Sequence, residues 1–104
     1  MTREAALKAL AECRDTIDAV DRRILELLNE RTRVVEEIGR VKRAAHMPIY
    51  EPRREDEVFR NVTQNNQGPL SPDAVKRVFE RIIDEMRKVQ RDRMEAAPKD
   101  GEPQ

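Results

Sequence analysis

The amino-acid sequence predicts an all-α chain of three helices, the first of them unusually long. Charged residues make up 40% of the 104 residues and aromatic residues only 3%, and such a composition is poor in the residues that strands favour. The chain has no proline before Pro48, so no proline ring interrupts a helix ahead of that point. Two later prolines, Pro52 and Pro72, each stand where a new helix can begin.

Start and stop signals bound the first two helices. The first is predicted from about Arg3 to about Ala45, because the ring of Pro48 disfavours helical geometry in the residue before it. The second begins at Pro52, whose fixed φ and missing N–H suit the first helical position. It ends at the turn-forming sequence NNQGP.

The third predicted helix has Ser71 as its N-cap and Pro72 at its first position, and it continues to about Met94. The sequence that follows is polar and rich in helix breakers, so we expect residues 96–104 to form a disordered tail. The remaining residues, 1–95, are predicted to form one helical domain. A chain of 104 residues has the length of a single domain with a modest core.

Charge and composition exclude several classes of function. Lysine and arginine number 21, as do aspartate and glutamate, so no net basic field favours nucleic acid, and few aromatic rings are available to stack on bases. No apolar run approaches the length of about 18 residues expected of a membrane span, and no secretory signal pattern is present, so we expect a cytoplasmic protein with no membrane partner. Cys13 and His46, each the only residue of its type, cannot form an internal disulfide or a metal cluster.

Charged residues interrupt an apolar stripe along the first helix. The a and d positions of a heptad repeat through Leu10 are Leu10, Arg14, Ile17, Asp21, Ile24, Leu28, Arg31, Val35, Ile38 and Lys42. On the third helix, an apolar stripe continues into a polar residue, in the order Val75, Phe79, Ile82, Met86 and Gln90. Each polar group alone could reach solvent or bond an opposite charge. Because unpaired polar groups are unfavourable on an apolar stripe, we interpret the three cations and Gln90 together as an interior site for an anion.

A helix of this length is too long for its own chain to cover. About 40 residues at roughly 1.5 Å each give about 60 Å, whereas a compact 100-residue domain has a radius of gyration of about 13 Å. We therefore expect a second copy alongside, about a two-fold axis. Arg31 and Lys42 would lie about 16 Å apart along the helix, and Arg14 about 25 Å from Arg31. An antiparallel partner could bring its own Arg14 beside Arg31, which would give a homodimer with two shared sites.

The start of the second helix carries two arginines among carboxylates. Arg53 and Arg54 stand in the first turn, where exposed cations oppose the helix dipole by roughly 0.3–1 kcal/mol each, whereas Glu51 and Glu55 are favourable there. The neighbouring acids could neutralise both arginines on a solvated face. Alternatively, one arginine and one glutamate point into the anion site. The residues of this segment leave both interpretations open.

One pattern runs through most of the chain. It reads Arg14-x-x-Ile17-Asp18-x-x-Asp21-x-x-Ile24-x-x-Leu27-Leu28-x-x-Arg31, then Ile38-Gly39-x-x-Lys42, then Pro52-x-Arg54-Glu55. Over roughly residues 7–92 the chain resembles the all-helical (AroQ-type) class of chorismate mutase. The resemblance implies an intertwined homodimer of three-helix chains that rearranges chorismate to prephenate, in phenylalanine and tyrosine biosynthesis, without a cofactor or metal.

The resemblance also implies roles for the cations of the stripe. Arg31, together with Arg14 of the second copy, would hold the carboxylates of the substrate, which the planar guanidinium group suits. Lys42 and Gln90 would donate hydrogen bonds to the ether oxygen, where negative charge develops during the reaction. Lys42 would also lie near a carboxylate.

At the other two helices, the resemblance implies that Glu55 binds the ring hydroxyl, with Glu51 at a position that is usually acidic in the family. Arg54 would face the substrate, which would decide between the two interpretations of the paired arginines. Met86 stands where some relatives have a small polar residue, so a carboxylate contact expected there would come from elsewhere. Tyr50 occupies a position that is basic in some members.

Two further functions stay open on the sequence alone. Isochorismate-pyruvate lyase uses a similar helical scaffold and similar cations on a related substrate. The loop NNQGPLSPD resembles that of mutase domains that work with the synthase opening the shikimate pathway, so the chain could be a weakly catalytic regulatory domain with such a synthase as partner. A plain helical dimerisation protein is disfavoured, because it would have no use for charge in its apolar seam.

Overall fold

The computed structural model describes the backbone of residues 1–101 and the side chains of residues 1–93. It contains three helices: α1 (Arg3–Ala44), α2 (Pro52–Gln64) and α3 (Pro72–Gly101). No strand is present in this described part of the chain, so the predicted all-α class with three helices is confirmed. None of these helices carries an apolar stretch of the length that a bilayer requires.

α1 has a defined cap at each end. At the start, the Thr2 hydroxyl oxygen accepts a hydrogen bond from the Ala5 N–H at 3.0 Å, which satisfies one of the unpaired N–H groups of the first turn. At the other end, His46 adopts a left-handed φ of 56°. The Met47 N–H then donates to the Lys42 carbonyl at 2.8 Å and the His46 N–H to the Arg43 carbonyl at 3.2 Å. These two bonds form a Schellman motif.

The end of α1 therefore lies one residue earlier than predicted, and a different residue ends it. The sequence argument relied on the ring of Pro48, whereas the chain has already turned at His46. A left-handed residue at this position is usually glycine. Histidine gave no sequence signal for the turn.

Side-chain amides and a hydroxyl define the ends of α2 and the start of α3. Asn65 donates through its side chain to the Asn61 carbonyl at 2.7 Å, and Asn66 donates in the same way to the Leu70 carbonyl at 2.7 Å. The Ser71 hydroxyl oxygen accepts from the Ala74 N–H at 3.1 Å. The predicted N-cap and the turn-forming role of the asparagines are confirmed.

α3 ends later than predicted, at Gly101 rather than about Met94. Glu95 and the two alanines that follow it are strong helix formers, which favours the first added residues, whereas Pro98 is unfavourable inside a helix and does not explain the continuation to Gly101. The predicted tail, 96–104, overlaps this end of α3. Its last three residues and all its side chains lie outside the described residues, so its disorder stays a prediction, as does the division of the chain at residue 95.

The chain forms two compact units, Met1–Arg33 and the part from Val34 onward. In the first unit, a row of large apolar side chains is at least 47% exposed; its members are Leu7, Leu10, Ile17, Ile24, Leu25 and Leu27. In the second unit, α2 packs against α3, and a small core contains Val35, Val75, Ile83 and Met86. These four buried apolar side chains thus all lie in the second unit, which also exposes several others, such as Val34, Val41 and Val78, whereas this row of the first unit is uncovered.

We expect His46→Gly to raise the free energy of unfolding by about 1 kcal/mol. A left-handed conformation costs a residue with a Cβ roughly 1–2 kcal/mol, which glycine avoids. Part of this gain is lost because glycine makes the unfolded chain more flexible. Denaturant unfolding measures the change. His46→Ala is the control, since alanine also carries a Cβ and should gain nothing comparable. Equal stabilisation by both substitutions would contradict the assignment of the gain to the backbone conformation.

Candidate active site

Lys42 is a buried cation in the last turn of α1, with 7% of its surface exposed. Its ammonium donates to the Ile49 carbonyl at 2.9 Å and pairs with Oε1 of Glu51 at 2.5 Å. The left-handed turn at His46 reverses the chain and allows both acceptors to reach the lysine. An ammonium group has three N–H donors, and two of them have acceptors within the described part of the chain. The third remains for a ligand.

Burial of the Lys42 charge requires this compensation, since an isolated ammonium in a protein interior is strongly unfavourable. Glu51 supplies the opposite charge, and its side chain remains 46% exposed. Glu51 also stands at the N-cap of α2, where the helix dipole favours an anion. One glutamate therefore neutralises the lysine and stabilises the start of α2.

Gln90 is the second buried polar side chain, with 8% of its surface exposed. Its amide nitrogen donates to the Val35 carbonyl of α1 at 3.4 Å, which is long for an N–H···O hydrogen bond and therefore weak. Its Cγ lies 3.7 Å from the position that a Cβ on Gly39 would occupy. The amide has two N–H donors, so one remains for a ligand and the other is only weakly held.

Lys42 lies on the face of α1 against which Gln90 packs. Val35, Gly39 and Lys42 follow one another at spacings of four and three residues, and residues so spaced lie on the same side of a helix. Gln90 contacts the first two of these residues. The glutamine amide and the lysine ammonium therefore approach the same stretch of helix surface.

A third contact between α1 and α3 lies one turn beyond Gln90. Nε of Arg93 bonds Oε2 of Glu36 at 2.6 Å, and the Glu36 side chain is 22% exposed. Glu36 follows Val35 directly, so this ion pair lies next to the carbonyl that Gln90 contacts, but the Arg93 side chain is 67% exposed and such a pair contributes little to stability. The sequence analysis missed this pair, because nothing distinguished these two residues from the many other charges of the chain.

Glu55 is held by an arginine that the sequence analysis also missed. Nη2 of Arg87 lies 2.5 Å from Oε2 of Glu55, and the two side chains are 26% and 23% exposed. Nη1 of the same arginine lies 3.5 Å from Oδ1 of Asp84. The guanidinium carbon lies 5.1 Å from the centroid of the Tyr50 ring, a distance at which a cation is attracted to the ring face.

The hydrogen bond to Glu55 raises the pKa of Arg87 above the ordinary arginine value, although burial acts in the opposite direction. A group with a raised pKa in the folded state contributes its full stabilisation below its unfolded pKa and loses it only as the pH rises through the folded pKa. Both pKa values lie far above neutral pH. Arg87 therefore stays cationic in the working range of a protein, and its contact with Glu55 does not change with its own protonation there.

The Nε of Arg87 is buried and has no hydrogen-bond partner among the described residues. An unpaired buried donor costs about 1–3 kcal/mol. The Glu55, Asp84 and Tyr50 contacts therefore hold the guanidinium in an orientation that leaves one of its own donors unsatisfied.

The contacts of the second unit close into a ring. Gln90 contacts Gly39, one turn before Lys42 on α1, and Lys42 binds Glu51. Glu55 follows one turn later on α2 and binds Arg87, which stands three residues before Gln90 on α3. α1, α3, and α2 with its N-cap residue thus each contribute two positions one turn apart, and the ring combines three donor side chains with two carboxylates.

The structure places the other sequence-predicted residues differently. Met86 is buried in the core, and Arg54 is exposed on α2 and makes no hydrogen bond or ion pair with the described residues. Arg14 and Arg31 belong to the first unit, where Arg14 is exposed and Arg31 is partly buried. The ring therefore gathers Lys42, Gln90 and the two glutamates, and the roles of all the predicted site residues stay proposals.

The chain is thus a small all-α protein in which a lysine and a glutamine are buried. The family model described as chorismate mutase type II matches residues 13–91, which is well over half of the chain. The chain belongs to this family.

Relatives and solved structures agree with that membership. A bifunctional chorismate mutase/prephenate dehydratase of Aquifex aeolicus (strain VF5) is 36% identical over 81 residues, which are 74% of this chain and 22% of that protein. The T-protein of Enterobacter agglomerans is 35% identical over 77 residues, 73% of this chain and 21% of that protein. A chorismate mutase structure (Form II) from Thermus thermophilus superposes with a TM-score of 0.78 at 34% identity, over 80% of this chain and 94% of that one. The matched part of the chain thus spans little more than a fifth of the length of the two relatives. It spans nearly all of the solved chorismate mutase structure.

Gly39→Ala should be tolerated and should raise the free energy of unfolding by about 0.5–1 kcal/mol, because alanine is the better helix former and its Cβ meets the Gln90 Cγ at an ordinary contact distance of 3.7 Å. Gly39→Leu should lower it, since the larger side chain needs the space of Gln90. Denaturant unfolding of both variants measures the contrast.

Gly68→Ala is the matched control for this pair of variants. Its Cβ would lie 3.9 Å from the Asn66 side-chain oxygen, so alanine fits there and acts mainly on the unfolded chain. In a Gln90→Ala background the loss caused by Gly39→Leu should shrink, and the effect of Gly68→Ala should not change. Marked destabilisation by Gly39→Ala itself would mean that α3 packs closer to α1 than the structure has it.

Proposed function

We propose that the chain catalyses the rearrangement of chorismate to prephenate. The observation that carries the proposal is the pair of buried donors, Lys42 and Gln90, each of which keeps an N–H for a ligand on the same face of α1. Membership of the chorismate mutase type II family supports the same reaction. The names of several relatives join a mutase to a prephenate dehydratase, so we place the product in aromatic amino acid biosynthesis.

The reaction asks little covalent chemistry of the protein. The ether C–O bond of chorismate breaks while a C–C bond forms within the same molecule, so the substrate supplies every reacting atom. A protein accelerates such a step by holding the substrate in its folded, reactive conformer. It also stabilises the negative charge that develops on the ether oxygen. Preorganised donors in a site with little water serve the second purpose best.

Lys42 and Gln90 supply those donors in the proposed mechanism. The unused N–H of the Lys42 ammonium and the unused N–H of the Gln90 amide both donate to the ether oxygen. Their burial strengthens each interaction, because the local dielectric is lower than that of water. Glu51 orients the lysine through their contact at 2.5 Å.

Glu55 accepts the ring hydroxyl of the substrate in this proposal. Oε2 of Glu55 is engaged by Arg87, and a carboxylate has lone pairs on both oxygens, so Oε1 is the acceptor for the hydroxyl. The same carboxylate can therefore be held by the protein and bind the substrate at once.

The substrate carboxylates are assigned to arginines on the strength of the sequence pattern. Arg31, Arg54 and Arg14 of a second copy would hold them in an intertwined homodimer with shared sites. The exposed apolar row of residues 1–33 supports such an assembly, since a second copy would cover it.

The proposal also includes a shikimate-pathway synthase as a further partner and a cytoplasmic location.

The direct test follows chorismate consumption by the purified protein and identifies the product. Prephenate formed from chorismate supports the proposal. Conversion of isochorismate to salicylate and pyruvate, with chorismate untouched, would instead establish the lyase. The family match favours the mutase over the lyase.

Gln90→Glu should lower kcat/KM at pH 7.5 and shift the optimum to acid pH. Loss of one preorganised donor in comparable sites costs about 2.7–4 kcal/mol, and an anion facing the developing charge should cost at least that. The introduced carboxyl has an ordinary pKa of about 4.3, which burial raises, so activity should return as the pH falls and the carboxyl regains a proton to donate. A pH–rate profile of both proteins measures the shift.

Two controls accompany that profile. Gln64→Glu introduces the same charge on the exposed end of α2 and should leave the profile unchanged, and circular dichroism verifies intact helices. Wild-type kcat/KM for Gln90→Glu at pH 7.5 would show that Gln90 does not donate to the ether oxygen.

Arg14→Ala and Lys42→Ala proteins, each nearly inactive, should recover activity when they are mixed and refolded. One site of each mixed dimer then has both residues intact, and random pairing gives at most about a quarter of wild-type activity. Lys42→Ala mixed with Gln90→Ala is the control, because both residues belong to the same chain's ring and no site is restored. Sedimentation verifies the dimers. A folded monomer at micromolar concentration, or mixed dimers without recovery, would contradict the shared site.

A further inference from the structure

Arg87 has contacts from three segments of the chain, and the function proposed above uses it only as the partner of one Glu55 oxygen. It bonds Glu55 on α2 at 2.5 Å, lies 3.5 Å from Asp84 on its own helix, and covers the Tyr50 ring of the connection before α2 at 5.1 Å. Arg87 stands three residues before Gln90 on α3. One turn of the helix therefore carries both the arginine that binds Glu55 and a proposed donor to the ether oxygen.

The pairing of Arg87 with Glu55 is unusual for an arginine and a carboxylate. Such groups commonly form two parallel hydrogen bonds, which gives the strongest and most specific contact. Here one Nη bonds one oxygen, and Nε remains buried without a partner among the described residues. Oε1 of Glu55 likewise accepts no hydrogen bond from the described part of the chain. The arrangement leaves one carboxylate oxygen unoccupied while the other is firmly held.

We infer that Arg87 is a positioning residue that holds Glu55 by one oxygen and presents the other to the ring hydroxyl of the substrate. The inference rests on the proposed function of Glu55. If Arg87 only joined α2 to α3, two parallel hydrogen bonds would stabilise the fold more than one. A single, partly exposed ion pair contributes little to stability. The contacts with Tyr50 and Asp84 fix the orientation of the Arg87 guanidinium. The Glu55 carboxylate is therefore oriented before the substrate binds.

The test is a double-mutant cycle on kcat/KM. Arg87→Met in the wild-type background should lower kcat/KM for chorismate by about 10- to 100-fold, as misplacement of a binding group does. In a Glu55→Ala background the same substitution should change it less than about two-fold, because the group it positions is gone. With a chorismate analogue that lacks the ring hydroxyl, the effect should also fall below about two-fold.

Arg81→Met is the matched control. Arg81 lies on the same helix and is 73% exposed, with its own ion pair to Glu85, so its removal should leave kcat/KM unchanged. The Tm of every variant is measured beside its kinetics. If Arg87→Met does not fold, Arg87→Lys provides the same comparison, since lysine keeps the charge without the planar fork.

The outcomes separate this inference from the proposed function. The inference is supported if the wild-type protein turns over chorismate and Arg87→Met lowers kcat/KM only in proteins that retain Glu55. The loss must also be confined to the substrate that carries the ring hydroxyl. Equal losses in both backgrounds, or equal losses with both substrates, would show that Arg87 acts through the fold and would overturn the inference alone. A wild-type protein without chorismate turnover would overturn the proposed function and this inference with it.

Discussion

The burial of the Lys42 ammonium is the constraint on which the rest of the site depends. A cation with 7% of its surface exposed needs acceptors close by, and α1 ends immediately after it, so the acceptors must come from the chain that follows. The left-handed residue His46 turns that chain back. Ile49 then offers its carbonyl and Glu51 its carboxylate. The position of α2 follows, because Glu51 is also its N-cap residue.

The sequence predicted what depends on local pattern. Pro52, Ser71 and Pro72 mark helix starts through their own backbone and side-chain chemistry, and those starts are confirmed. Lys42 and Gln90 stood out because each is polar on an apolar stripe, and periodicity is a property of a single helix. The structure finds both buried. The signal was sufficient to single out these two side chains but not their partners in the fold.

The sequence could not predict what depends on how helices meet. Arg87 is one of 21 basic residues, and nothing in its neighbourhood along the chain distinguishes it from Arg81, which is exposed. Its pairing with Glu55 spans 32 residues and becomes visible only once α2 and α3 are placed together. The Glu36–Arg93 pair was missed for the same reason. His46 was missed for another, because its unusual φ is typical of glycine.

The two requirements of the proposed reaction are positioned by different means. The proposed donors for the ether oxygen and the proposed acceptor for the ring hydroxyl are held by contacts within one unit of one chain, through Glu51 and Arg87 and, more weakly, Val35. The arginines assigned to the substrate carboxylates include two from residues 1–33, where large apolar side chains are uncovered. Covering that row would provide the driving force for association. Under the proposed function, the charge-stabilising part of the site is therefore preorganised in each chain, whereas the capture of the dianion depends on assembly. In that proposal the arginines bind the substrate before it reacts, and Lys42 and Gln90 stabilise charge that develops later. Loss of assembly would therefore weaken substrate binding first and leave the donors in place.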